Sequence, residues 1–314
     1  MSENKKIYDL VIIGFGVSGI YASLNASIRN LSTLVIESLP SYGGKLTNVY
    51  KEKEIFDFPG FKRIKAEKLA DNFYGQIDLE NEYITVKYNE KIITIKEEDN
   101  TFILSSNKDT YFSKYILITD GGGAFTPRKI PFDYSEIYYS FQPEEFLRGK
   151  RIIVLGGGDS AVDFASFASN YATVSLIHRR NDFRSSEQTL SEVKKKVEVL
   201  TPYNLLDVER KNNVFRVTVQ NTESGMVNEI EGDAIFVFYG VELAKNSYLD
   251  LERTNGLINV TSTMESSVKG IYGAGDTIYY PGKVKMIASA CSEALTAVEE
   301  IAHLVYPNKS INRH

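Results

Sequence analysis

The sequence predicts an α/β fold of two doubly wound, three-layer (ββα) domains. Two observations predict it. A β-strand, a glycine turn, a helix and a second strand follow one another near the N-terminus, and the same series returns at residues 150–180. Between and after these units lie segments with the period-2 alternation of strands. The first unit opens with "YDLVII" at 8–13, a β-branched apolar run of the kind buried in a parallel sheet. "GFGVSG" follows, then a helical pattern through Ile28, then the strand "STLVIE" at 32–37. "YITVKY", "KIITIKE" and "TFILSS" read as an antiparallel meander, and "YFSKYILITDGGGAF" as a buried strand ending in glycines. The second unit is "KRIIVLGGGDSAVDFASFASNYATVSLIHRR". More strands follow in "VEVLTPYN", "VFRVTVQ" and "DAIFVFYG". "GIYGAGD" is a short strand into a turn, and residues 283–306 form a long helix with Ile287, Cys291, Leu295, Val298, Ala302 and Val305 on its apolar stripe. The expected division is one discontinuous domain, 1–120 with 242–314, and an inserted domain, 121–241.

The composition narrows the function classes. The 314 residues carry 41 Asp and Glu against 36 Lys and Arg, a net charge of −5, which argues against a nucleic-acid binder. The first residues run from a polar start into a strand with no signal-peptide pattern, and no apolar run is long enough to span a bilayer. The expectation is a cytoplasmic protein without membrane partners. Cys291 is the one cysteine, so no disulfide can form within the chain, and with three histidines (His178, His303, His314) a metal site is not expected.

Gly14, Gly16 and Gly19 form G-x-G-x-x-G between a strand and a helix, with Glu37 at the end of the next strand. This is the Rossmann dinucleotide arrangement. The first glycine makes the turn, the second lets the backbone reach a pyrophosphate, and the third packs helix on strand. The helix N-terminus offers N–H groups and a positive dipole end. Glu37 is placed to bind the hydroxyls of an unphosphorylated ribose. The second turn has Gly156, Gly158 and Ala161, the G-x-G-x-x-A variant, with Asp159 and Ser160 opening the helix. Where the first unit has Glu37, the second has His178, Arg179 and Arg180, with Arg184 one helical turn on. Cations there suit a 2′-phosphate, and the planar guanidinium fork suits it best. One plain ribose and one NADP(H) in a single chain point to FAD in the first domain and NADPH in the second. Asp276, closing "GIYGAGD", can direct a carboxylate at a ribityl hydroxyl, and the long helix after it presents its N-terminus to the flavin.

Five blocks carry a resemblance that runs nearly end to end: "YGGKLTNVYKEKEIFDFPGF", "ILITDGGGAFTPRKI", "GGGDSAVDFA", "LIHRRNDFR" and "GAGDTIYYPGKVKMIASACSEA". The chain resembles the thioredoxin-reductase-like flavoproteins and, within them, the type 2 ferredoxin/flavodoxin–NADP reductases. The resemblance implies that Tyr50 stacks on one face of the isoalloxazine, that Gly44, Lys45 and Leu46 line the ring and ribityl chain, and that Ile92 meets the adenine end through its backbone. It places Phe125 near the flavin or the hinge, and Asp276 on the ribityl chain. NADPH would lie on Gly156, Gly158, Asp159, Ser160, His178, Arg179, Arg180 and Arg184. Members form homodimers through the FAD domain, which sets the expectation here.

The departures are local. Lys45 stands where the family often has Gln, "GFGVSG" replaces GGGPAG, and "DFPGF" is closer to thioredoxin reductases. The family's C-terminal extension covers the second flavin face, a role open to His314. Thioredoxin reductase chemistry needs a Cys-x-x-Cys just before the second fingerprint, and "FDYSEIYYSFQPEEFLRG" has no cysteine. The expected activity is hydride transfer from NADPH to FAD, with no acid or base required of the protein. The resemblance implies that electrons then pass to ferredoxin or flavodoxin, and the chain crossings near 120 and 242 suggest that the two domains rotate as rigid bodies. Two other readings stay open: an NADPH-dependent flavin, quinone or oxygen reductase, and a non-catalytic NADP(H)-sensing flavoprotein.

Overall fold

The computed structural model describes residues 6–49, 51–77, 81–121, 125–185, 187–243 and 249–308. The chain divides into two compact units, Met1–Phe125 with Leu243–His314, and Thr126–Glu242. The two chain crossings, Phe125–Pro127 and Val241–Leu243, pair as a two-stranded ribbon.

The first unit is built on a seven-stranded sheet. Ile7–Ile13 lies at its centre, parallel to Thr33–Ile36 on one side and Thr110–Ile118 on the other. Leu10, Val11 and Ile12 are fully buried, as a strand covered on both faces requires. Each such side chain contributes about 1.5–3 kcal/mol by leaving water. The helix Val17–Ile28 crosses back over this sheet and ends at Asn30, which takes the left-handed conformation that terminates helices. Its buried residues are mostly small (Ser18, Gly19, Ala22, Ser23 and Ala26, with Ile20), and it packs against Ile287–Val305.

Two expectations about this unit change. "YITVKY" does not belong to the meander: Ile84–Lys87 runs parallel to Thr33–Ile36 at the far edge of the sheet. The helix Ala66–Tyr74 lies between these two strands in the chain. Alternation of apolar residues has the same period in parallel and antiparallel strands, so the pattern could not distinguish them. The meander is Ile92–Glu98, Thr101–Ser106 and Thr110–Ile118. Thr110–Ile118 shares one edge between two partners: Thr101–Ser106 takes its first half and Ile271–Gly273 its second. The long helix starts at Ile287, not at residue 283, and its buried face is Cys291, Glu293, Ala294, Ala297, Val298, Ile301 and Ala302.

The second unit has a five-stranded parallel sheet in the order Ile137–Tyr138, Ala234–Val237, Arg151–Leu155, Thr173–Ile177, Glu198–Leu200. The helix Asp159–Ala168 covers it. A three-stranded antiparallel sheet, Tyr203–Lys211, Val214–Asn221 and Val227–Gly232, supplies Phe215, Val217 and Val219 to the same core. Each unit is thus a Rossmann-like α/β domain: in the first the antiparallel strands continue the parallel sheet, and in the second they form a separate sheet.

Candidate functional site

In the first unit the fingerprint turn is tightened by contact. A methyl group on Gly19 would overlap the Gly14 carbonyl oxygen, so nothing larger than hydrogen fits there. Thr119 Oγ1 donates to that same carbonyl at 2.8 Å. Gly16 caps the helix Val17–Ile28 with no side-chain hydrogen bond, which leaves first-turn N–H groups to be satisfied from outside. This is an anion-accepting end without an anion-like side chain in place.

Glu37 is only 5% exposed, yet it stays anchored. Its Oε2 accepts the Phe15 N–H at 2.6 Å, and its Oε1 accepts from the Leu39 N–H at 2.8 Å and the Ser38 hydroxyl at 3.2 Å. A carboxylate has about four lone-pair sites, so three donors leave one for a ribose hydroxyl. The Glu90 N–H donates to the Glu37 carbonyl at 2.9 Å, which brings the segment leading to Ile92 beside this acid. Ile92 and Leu46 bury their own side chains in the core.

Two further loops converge on the same helix end. A methyl on Gly44 would lie 3.0 Å from the Gly16 Cα, and one on Gly275 would collide with Ser18 Oγ. The residues after these glycines meet: Lys45 Nζ lies 2.5 Å from Asp276 Oδ2. The Gly275 N–H is held at 2.8 Å by Glu293 Oε2. Glu293 Oε1 also accepts from the Tyr280 hydroxyl at 2.9 Å and from Lys283 Nζ at 2.5 Å. The Lys283 and Glu293 side chains are 6% and 3% exposed. Both the Lys45–Asp276 pair and the Glu293 clasp escape sequence reasoning. A signal for the second exists: Glu293 stands between Cys291 and Ala294 on the buried face of its helix, where a charge needs a partner.

In the second unit Gly158 caps Asp159–Ala168, again without a side-chain hydrogen bond, and Asp159 and Ser160 are exposed in the first turn. The segment after the second strand folds back on the turn. The Arg184 N–H donates to the Gly157 carbonyl at 2.8 Å. The His178 ring covers Gly157 so closely that a methyl there would overlap it. The ring packs on Phe183 at 5.0 Å and its Nε2 lies 3.2 Å from the Asp182 carbonyl oxygen. Burial lowers the His178 pKa, outweighing the opposing hydrogen bond, and Arg179 and Arg180 push it the same way. His178 is therefore a neutral spacer at pH 7, and the positive charge comes from Arg179, Arg180 and Arg184. All three are exposed, and no ion pair to a carboxylate is formed by any of them among the described residues.

Some expected residues lie elsewhere. Tyr50 and His314 fall outside the described residues, as does the Phe125 side chain. Cys291 is buried, and burial pushes its thiol up to about 12, so it offers no thiolate. Among the described residues no His, Cys, Asp or Glu cluster could hold a metal ion, and no helix is long and apolar enough to cross a membrane.

The comparisons with known proteins fit this geometry. The family model for pyridine nucleotide-disulphide oxidoreductases matches residues 8–298. A ferredoxin–NADP reductase of Acholeplasma laidlawii is 40% identical over 309 residues, 96% of each chain. Ferredoxin–NADP reductase 2 of Listeria welshimeri is 37% identical over 325 residues, 99% of this chain and 97% of that one. Thioredoxin reductase of Lactococcus lactis shares the fold, with a TM-score of 0.81 at 24% identity over 96% of this chain and 99% of that one. The chain belongs to the pyridine nucleotide-disulphide oxidoreductase family and, within it, to the ferredoxin–NADP reductases. It is an NADPH-dependent flavoprotein oxidoreductase.

Proposed function

We propose that the chain passes electrons from NADPH through FAD to a ferredoxin or flavodoxin. One observation carries the assignment of nucleotides. The same uncapped turn occurs twice, with a buried, anchored carboxylate beside one and three exposed guanidinium groups around the other. The first fits an adenosine with free ribose hydroxyls, the second a 2′-phosphate. On this reading the first unit is the FAD domain. The N–H groups at the start of Val17–Ile28 take the pyrophosphate, Glu37 the ribose and Asp276 the ribityl chain. Gly44, Lys45, Leu46, Tyr50, Ile92 and Phe125 complete the site. In the second unit Gly156, Gly158, Asp159 and Ser160 frame the NADPH pyrophosphate, His178 shapes the turn, and Arg179, Arg180 and Arg184 hold the 2′-phosphate.

When bound, the flavin accepts a hydride from nicotinamide and releases electrons singly. The chain's residues bind, orient and set the local charge, and none is needed to move a proton. The single cysteine supports transfer to an external carrier, since no dithiol relay exists in this chain. The names of the relatives support ferredoxin as that carrier. The working assembly is a cytoplasmic homodimer, for which light scattering is expected to give twice 35.3 kDa, and a single 35.3 kDa species would overturn it.

The test is anaerobic. FAD-loaded protein is mixed with NADPH and then with ferredoxin from the same source. Ferredoxin reduction that requires both nucleotides supports the reading. Brisk reduction of free flavin or quinone with none of ferredoxin replaces the carrier and keeps the flavoenzyme.

A further inference from the structure

We propose that Lys45 sets the charge of the flavin site and, through it, the redox poise of the bound flavin. The inference rests on the reading that the first unit holds FAD.

Placement comes first. A methyl on Gly44 would crowd Gly16 and one on Gly275 would strike Ser18, so Lys45 and Asp276 both leave the backbone near the anion-accepting end of Val17–Ile28. A dinucleotide seated on that end has this ion pair for a neighbour. The pair is also fixed. Asp276 lies in the short turn Gly275–Thr277, whose first N–H is clamped by the buried Glu293. Glu293 is in turn held by Lys283 and Tyr280. A buried ion pair adds little net stability over apolar side chains of the same volume, but removing one partner leaves a stranded charge. The Lys283–Glu293 clasp is thus better suited to hold Asp276 in place than to stabilise the fold.

The charge follows from this arrangement. Without Lys45, the Asp276 carboxylate would face the flavin alone and disfavour added electrons. With Lys45 bound to it, the pair is neutral and the helix end adds its positive dipole. Two-electron reduction of a flavin takes up two electrons and one proton, both supplied by the nicotinamide hydride, and leaves one negative charge on the ring. A fixed ammonium in a partly desolvated site binds that charge more tightly than it binds the neutral oxidised ring. Gln, the residue in the resembling block, keeps a polar head and loses the charge.

The experiment measures the midpoint potential of bound FAD by anaerobic spectroelectrochemistry. K45Q is expected to weaken the preference for reduced over oxidised FAD about tenfold, which is about 30 mV lower for a two-electron couple. K45R keeps the wild-type value. D276N removes the Asp276 negative charge while Lys45 keeps its own, and shifts the potential the other way. Opposite signs from the two partners mark a charge effect, because loss of packing has no reason to reverse sign. A K45Q protein that holds FAD at the wild-type potential overturns the inference and leaves the FAD reading standing. If K45Q does not retain FAD, D276N decides: a raised potential supports the inference, an unchanged or lowered one overturns it. A wild-type chain that binds no FAD overturns both the reading and the inference.

Discussion

The two glycine turns are a natural experiment within one chain. Both follow a buried parallel strand, both open an uncapped helix, and both are followed by a second strand. Two of their differences bear most on the bound nucleotide. The third small residue is Gly19 in one and Ala161 in the other. The second strand leads into the buried Glu37 in one and into the exposed Arg179 and Arg180 in the other. On the proposed reading, the shared part fixes where a pyrophosphate can sit and the differing part selects the nucleotide it belongs to. That reading encodes backbone geometry and nucleotide identity separately, a few residues apart.

The largest expected effect is at the third small residue. G19A drives a methyl into the Gly14 carbonyl and should destabilise the first unit by about 3 kcal/mol, with loss of FAD. A161G, its counterpart, should cost only about 1 kcal/mol of helix propensity. Urea unfolding of both variants checks this, and equal losses would erase the distinction between the turns. Next come the cations. Each charge-assisted hydrogen bond to a phosphate is worth about 1.5–3 kcal/mol, so losing one raises the KM for NADPH roughly 10- to 100-fold and R179A/R180A should raise it by at least that much. The KM for NADH should stay put, and an unchanged NADPH/NADH preference would remove the 2′-phosphate from this site. E37Q sharpens the other side. The amide nitrogen would face either the Phe15 or the Leu39 N–H, leaving a buried donor unpaired at about 1–3 kcal/mol. Lower thermal stability and weaker FAD binding should appear together. The smallest effect concerns pH. His178 has a lowered pKa in the fold, so the unfolded chain binds its proton more readily. That contribution to stability is complete above the ordinary value of 6.5 and declines as pH falls below it. H178Q should flatten the slope between about pH 7.5 and about pH 5.5.

Much of this was legible because a dinucleotide turn is local: its glycines, its acid and its cations lie within one β-α-β unit of some thirty residues. The fold class followed from that unit appearing twice. What escaped the sequence was long-range or shared between alternatives. Ile84–Lys87 alternates as a meander strand would, and only its pairing with Thr33–Ile36 makes it parallel. Lys45 and Asp276 stand 231 residues apart, and no spacing rule joins them. His178 reads as a cation beside two arginines, and its neutrality depends on how deeply its ring is set over Gly157. Residues 283–286 continue the apolar pattern of the last helix, yet Lys283 leaves it to reach Glu293.

The central claim is that one chain holds two different nucleotides, one on each turn, in redox contact. The most direct measurement is the visible spectrum of FAD-loaded protein under anaerobic titration, first with NADH and then with NADPH. The account predicts a bound flavin band that bleaches at far lower NADPH than NADH concentration. A protein that binds no flavin, or a flavin band that NADPH leaves intact, would contradict it.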